Sequence, residues 1–233
     1  MDTTSERGSP QPALSQSIIQ DHRIRLLAGF IMAALSLAVF YLLATGALSG
    51  WKESADQTVR SKVTGLGTPA LTSMFLVFTK LGSTLYLTVI GVIAGISFLF
   101  LGWMRELGLF LVSMVGQIVL HHGSKAIFRA GRPAPLFDYP DVAGYSFPSG
   151  HALASFCVYV VLAGLIVPHV RNRAARTSIW LFAAVLVLLI GLSRVYLGMH
   201  YLSDVMAGYL AAIIWSAAVL FERNPTKQSV VKS

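Results

Sequence analysis

Charge is what this sequence has least of. Only 12% of its 233 residues are Asp, Glu, Lys or Arg, while 55% are apolar. Soluble domains carry roughly 25% charged residues, so half the usual solubilising charge is missing and an ordinary soluble domain is excluded. Acidic groups are the scarcer sign: ten Asp and Glu stand against 18 Lys and Arg, a formal net charge of +8. No cluster of carboxylates accompanies the basic motifs described below, which leaves no plausible oxygen cage for a divalent cation. A single cysteine, Cys157, excludes an intrachain disulfide and carries no signal of redox compartment. It lies in an apolar run and reads as a small buried hydrophobe. There is no internal repeat, and no low-complexity segment beyond the tails. A nucleic-acid binder is excluded too, because the basic residues are scattered between apolar runs instead of gathered on one face.

Those apolar runs are the dominant feature of the chain. Residues 26–48 contain no ionisable side chain except Tyr41, and residues 81–104, 178–193 and 201–221 are nearly as clean. A bilayer core takes about 20 apolar residues in a helix. Backbone in lipid must satisfy its own hydrogen bonds, so runs of this length are helices. The expected fold is all-α: an integral membrane bundle of six transmembrane helices. The spans are placed at 26–48, 81–104, 107–130, 149–168, 178–193 and 201–221. A polar cytoplasmic tail, 1–25, precedes the domain at 26–221, and a cytoplasmic tail, 222–233, follows it. The first apolar run is longer than a signal-peptide core and reads as a retained span.

Between the first two spans lies an extra interfacial helix region. In 49–68, Trp51, Ala55, Val59 and Val63 recur every four residues, with Lys52, Glu53, Asp56, Arg60 and Lys62 on other faces. That is the pattern of a helix lying on a membrane surface. Residues 69–80 are apolar but too short to cross and read as a half-buried helix. Gly91 and Gly95, four apart, give a weak close-packing signal in the second span.

Three segments border one surface in this arrangement. They are Lys125 to Pro133 (K-A-I-F-R-A-G-R-P), Pro148-Ser149-Gly150-His151, and Ser193-Arg194 with His200 and Asp204. Ionisable groups at membrane-helix ends are costly unless paired or functional. Here Lys125, Arg132 and Arg194 make an excess of fixed positive charge that calls for an anion. Phosphate suits it, since Arg offers a planar fork and Lys a point charge. Ser149-Gly150-His151 opens a helix, whose first amides have no internal acceptor and favour an anion. Pro148 suits a helix start, and Gly150 allows close approach of an oxygen. His200 and Asp204, four apart, are expected on one helix face. The carboxylate would fix the imidazole tautomer and free the other nitrogen to attack. His151, from a different helix, can then protonate the leaving oxygen. Phosphoryl transfer chiefly needs positioning and charge stabilisation, so the scheme requires no cofactor and no metal.

Other candidates read more plainly. Adjacent residues on a helix point about 100° apart, so His121 and His122 read as interfacial or packing residues, not ligands. Gln117 is an interhelical hydrogen-bond partner or lines the substrate path. Tyr145 and Phe147 either touch a lipid chain or are interfacial aromatics. Arg129 is solvated or headgroup-facing. His169, with Arg171, Arg173 and Arg176, belongs to an inner basic cluster. With the N-terminus inside, ten of the 18 basic residues fall inside; discounting the three phosphate-binding candidates leaves five outside. The positive-inside bias then turns the three motifs outward.

The three segments resemble the type 2 phosphatidic acid phosphatase family, which shares its core with vanadium haloperoxidases. The family pattern is K-x6-R-P, P-S-G-H and S-R-x5-H-x3-D, and the chain matches it without departure. The likeness extends over about 81–221. It implies that His200 is the nucleophile, forming a phosphohistidine, that Asp204 orients it, and that His151 is general acid and then base for water. Lys125, Arg132, Ser149, Gly150 and Arg194 would hold the phosphate. The short loop between the first two motifs is similar to that of small bacterial members, which act on undecaprenyl pyrophosphate, phosphatidylglycerophosphate, phosphatidic acid or related lipids. The expected function is therefore metal-independent hydrolysis of a lipid phosphate or pyrophosphate. The expected place is the bacterial inner membrane, with the site on the periplasmic or extracellular face. A lipid phosphotransferase using the same phosphohistidine is the first alternative, and the motifs do not separate the two. A non-catalytic lipid binder or transporter would not require His200 and Asp204, and a haloperoxidase would be soluble.

Overall fold

Breaks in the chain follow local chemistry. In the computed structural model, which describes residues 11–140 and 143–221, every regular element is helical. Helix α1 is Gln11–Ala44 and α2 is Ser49–Thr64. Helix α3, Pro69–Leu81, starts with proline in its first turn, and the Thr68 side chain accepts from the Leu71 amide as N-cap. Helix α4 is Thr84–Phe100, α5 is Met104–Phe128 and α6 is Gly150–Ile166, continued by a 3₁₀ turn, Val167–His169. Asn172 caps α7, Arg173–Tyr196, through the Ala175 amide. Helix α8 is Leu202–Phe221. Of the tails expected at 1–25 and 222–233, residues 1–10 and 222–233 lie outside the described residues, while 11–25 belong to α1.

Among the described residues four helices are long and apolar enough to cross a bilayer: α5, α6 with its 3₁₀ turn, α7 and α8. Two further pairs reach that standard only together. Residues 29–44 of α1 meet α2 at a bend of 86°, and α3 meets α4 at 49°. Helix α1 begins ahead of the apolar run at 26, and the run at 81–104 is interrupted at both ends. The short segment at 69–80 is a helix in its own right. With long apolar helices of this kind, the chain is an integral membrane protein.

Helix α6 is the central post. Ala152, Leu153, Cys157, Val161 and Leu165 are all fully buried, and α5, α7 and α8 surround it. Small residues let the neighbours in. A Cβ on Gly164 would meet Leu220 at 2.8 Å, and one on Gly208 would meet the Ser149 carbonyl at 2.6 Å. In lipid such dispersion contacts, not exclusion of water, hold helices together. Gly91 and Gly95 are different. A Cβ there would reach Phe110 and Leu107 only at ordinary contact distance, so they form no tight helix seam.

Candidate active site

The three motif segments meet where α5 ends, α6 begins, α7 ends and α8 begins. Backbone hydrogen bonds tie them directly. The Ser149 amide donates to the Asp204 carbonyl at 2.9 Å, and Leu136, just past the first motif, donates to the Leu197 carbonyl at 3.0 Å. Gly198 makes the second approach possible. It has φ +69°, and a Cβ there would fall 2.7 Å from the Leu136 nitrogen and 2.8 Å from the Ala134 carbonyl.

His200 and Asp204 do not share a helix face, as their spacing suggested. His200 lies in the turn before α8 and Asp204 in that helix's first turn. The turn folds back so that Asp204 Oδ2 lies 3.5 Å from His200 Nδ1. The same oxygen accepts from the Tyr201 amide at 2.9 Å. That is half of a capping box, a carboxylate of the first turn reaching back to the flanking amide. Both side chains are buried, at 4% and 1% exposure.

Ser146 completes the pair, and sequence reasoning passed over it. Its hydroxyl donates a short hydrogen bond to Asp204 Oδ2 and lies 3.3 Å from His200 Nδ1. It is fully buried two residues before Pro148. Only its position between the two aromatics Tyr145 and Phe147 could have drawn notice. Those aromatics divide cleanly. Tyr145 is exposed, whereas Phe147 is buried against Phe40 and Phe128, with ring centroids 5.8 and 5.2 Å away.

The tautomer of His200 follows from its other nitrogen. Arg132 Nη1 lies 3.2 Å from His200 Nε2. A guanidinium has no acceptor atoms, so Nε2 accepts, and the ring proton sits on Nδ1 towards Asp204 and Ser146. Arg132 is itself steered by the carbonyls of Met199 at 2.9 Å and Gly144 at 3.0 Å. Burial pushes the His200 imidazole down to about 4, against the pull of Asp204. Near neutral pH the ring is uncharged, with its lone pair at Nε2.

Arg194, 4% exposed on the last turn of α7, donates from Nη1 to the Thr79 hydroxyl at 2.6 Å and lies over the Tyr139 ring. Its Nε has no hydrogen-bond partner, and neither does the Ser149 hydroxyl at the start of α6. A buried donor left unmade costs about 1–3 kcal/mol, more on a charged group. Of the two, the Arg194 Nε belongs to a residue that lines a cavity, where an anion would satisfy it.

Arg194, Arg132, Lys125, Gly150, His151 and His200 line one cavity of about 640 Å³. Away from these groups it continues between α4, α5 and α6 past Leu87, Val92, Leu111, Met114, Ile118 and Val158. Gly91 and Gly95 open onto it too. Gln117, His121 and His122 also line it, so the two histidines belong to the site's wall and not to a membrane interface alone. The space above Gly150, expected to receive an oxygen, is occupied in part by the His121 ring. A Cβ there would fall 2.1 Å from its Cε1. Arg129 and His169 stay outside the site. Arg129 ends α5 with φ +44°, and His169 pairs with Glu106 at 3.1 Å. Among the described residues no group of three or more His, Cys, Asp or Glu side chains could hold a metal ion.

Comparison with known proteins bears on the same region. The sequence model of the PAP2 superfamily matches residues 106–224. Phosphatidylglycerophosphatase B of Bacillus subtilis is 30% identical over 184 residues, covering 77% of this chain and 89% of that protein. An undecaprenyl-diphosphatase of Sulfolobus acidocaldarius is 33% identical over 112 residues, 46% of this chain and 50% of the relative. The crystal structure of a transmembrane PAP2-type phosphatidylglycerolphosphate phosphatase from Bacillus subtilis superimposes with a TM-score of 0.74 at 26% identity. It covers 83% of this chain and 96% of its own.

Proposed function

This chain belongs to the PAP2 superfamily of phosphatases, and from that premise we propose that it hydrolyses a lipid phosphate through a phosphohistidine on His200. The observation that carries the reading is the buried, unpartnered Nε of Arg194, in a cavity it shares with His200 and His151. A phosphate seated there takes that N–H and the fork of Arg132. Lys125, the Ser149 hydroxyl and the amides at Gly150 complete its cradle. As Arg132 turns to the phosphate oxygens, His200 Nε2 is released and attacks phosphorus. The P–O bond to the lipid breaks, and His151 gives its proton to the departing oxygen. Asp204 and Ser146 hold Nδ1–H and stabilise the imidazolium. In the second half, His151 takes a proton from a water whose oxygen attacks phosphorus, the P–N bond to His200 breaks, and phosphate leaves.

The apolar continuation of the cavity between α4 and α5 suits an acyl or prenyl chain. A phosphatidylglycerophosphate-like monoester stands first among substrates, because the relative named for that activity aligns over most of both chains. We place six spans, α1, the broken pair α3 and α4, and α5 to α8, with α2 lying at the interface. Residues 1–25 and 222–233 are then cytoplasmic tails, 26–221 form the domain, and the site faces the periplasm of a bacterial inner membrane.

The test is phosphate release by the purified protein from phosphatidylglycerophosphate, phosphatidic acid and undecaprenyl pyrophosphate, with and without excess EDTA. Release that survives chelation and is inhibited by vanadate is expected, since vanadate adopts the trigonal-bipyramidal shape of the transition state. Loss on chelation, restored by Mg²⁺, overturns the metal-free scheme. Release from none of the three overturns the substrate class.

A further inference from the structure

Helix α2 carries no family motif, yet its polar face reaches all three motif segments. The amphipathic pattern placed Lys52, Asp56 and Arg60 off the apolar face of a helix lying on the membrane surface. They are spaced four apart and so share one helix face. Asp56 is buried at 6% exposure, and Lys52 and Arg60 are half-buried. Lys52 Nζ lies 5.2 Å from the centroid of the Phe147 ring, just ahead of Pro148. Asp56 accepts from the Ser203 amide at 2.9 Å and from the Ser203 hydroxyl at 2.6 Å. Arg60 donates to the Ala134 carbonyl at 2.8 Å, two residues past Arg132.

The central contact has a specific job. The first amides of α8 need acceptors, and the residue flanking its start, Tyr201, has no side-chain oxygen that suits a cap. Asp204 covers the Tyr201 amide, and Asp56 covers Ser203 from a different helix. Two carboxylates thus fix the turn in which His200 sits. The remote one also places negative charge at a helix N-terminus, where it is favoured.

We propose that α2 is a positioning brace for the active site: Asp56 sets the His200–Asp204 turn, and Arg60 sets the Arg132 loop. None of the three side chains touches the reacting atoms. The brace acts by holding the nucleophile and its guanidinium partner in register across a gap that no covalent connection shorter than the motifs' own loops spans. The inference rests on the roles proposed for His200 and Arg132.

The experiment uses the full chain in detergent. Asp56→Asn and Ser203→Ala preserve most of the packing, Asp56→Ala removes the acceptor, and Arg60→Met keeps length without the donor. Glu53→Gln and Gln57→Ala, on the exposed side of α2, are the controls. Amide exchange is read over 130–140 and 196–206, alongside kcat and KM. Asp56→Asn and Ser203→Ala should each speed exchange in 196–206 and lower kcat about 10–100-fold, the size of a misplacement near 1 Å, while KM stays within about twofold. The Asp56→Ala, Ser203→Ala double variant should lose no more than Asp56→Ala alone, because that change already breaks both bonds to Ser203, including the one that Ser203→Ala removes. Arg60→Met should speed exchange in 130–140. Unchanged exchange overturns the brace. Faster exchange with kcat equal to the controls also overturns it, leaving a merely structural contact. If Asp56→Ala does not fold, the Asn and Ser203 variants decide. Exchange is measurable even if the wild-type protein releases phosphate from no lipid; that result removes the proposed function and leaves the brace to stand or fall on exchange.

Discussion

Helices α5 and α6 run side by side and each delivers one motif at one end, but they live in different surroundings. In the most apolar stretch of α6, 67% of residues are buried inside the protein; in that of α5, 11% are. Both are read as spans because lipid and protein interior are alike to a hydropathy scale. The difference lies in what each face meets. Helix α6 is enclosed by α5, α7 and α8. Helix α5 turns Val112, Val115 and Val119 outward, and Met114, Gln117 and His121 towards the cavity or its neighbours. Changes along α6 should therefore cost stability, and changes along α5 should be cheap on one side and felt by substrate on the other.

At the ends of the helices the contrast should vanish, because in the proposed function both ends hold the same phosphate. The largest effect belongs to neither helix: His200→Ala should remove turnover by at least about 10⁴-fold, measured as kcat/KM on a lipid phosphate, with no ³²P retained on the protein. Label accumulating in this variant would mean that the nucleophile is another residue. His151→Ala, at the start of α6, should lose about 10²–10⁴-fold on the lipid monoester. It should lose far less on p-nitrophenyl phosphate, whose leaving group departs without a proton. Equal losses on the two substrates would remove the general-acid role.

Away from the ends the two helices should part. Leu153→Ala on α6, where the side chain is fully buried, should cost about 2–5 kcal/mol. Val115→Ala on α5, 62% exposed, should stay within about 0.5 kcal/mol. Thermal or denaturant unfolding in detergent reads both, and similar losses would dissolve the distinction. The last effect is one of pH. His200 is held near 4 in the folded protein against an ordinary 6.5. Between those values the unfolded chain binds the extra proton, so the stability this group contributes is present above 6.5 and is lost as pH falls towards 4. His200→Gln should flatten the unfolding temperature between pH 4 and 6.5; an unchanged slope would place the acid sensitivity elsewhere.

Much of the site was legible because phosphate chemistry needs a recognisable set of side chains. Lys125, Arg132, Gly150, His151, Arg194 and His200 were named from spacing and motif, and they do line one cavity. Local readings that assumed regular helix geometry fared less well. His200 and Asp204 meet through a turn that caps α8, because the start of that helix falls between them. Ser146 gave no signal, since a serine between aromatics is unremarkable until Asp204 arrives from 58 residues away. The pattern in α2 indicated a surface helix but not the partners of its polar face, because a polar face that pairs with loops looks like one that pairs with water. The long apolar helices were plain from hydropathy and the breaks near 49 and 81 from composition, but the angles of the bends, 86° and 49°, were not.

The hydrogen bond from Arg132 to His200 Nε2 has one more consequence. The nitrogen best able to react is also the one that is covered, and its cover is a cation that only an anion can draw away. A passing neutral electrophile finds the lone pair engaged; a phosphate ester both summons the guanidinium and bares the nitrogen behind it. With His200 in the role proposed above, the site is in this sense locked by its own key-holder, and its nucleophile can stand ready without being spent on whatever drifts past.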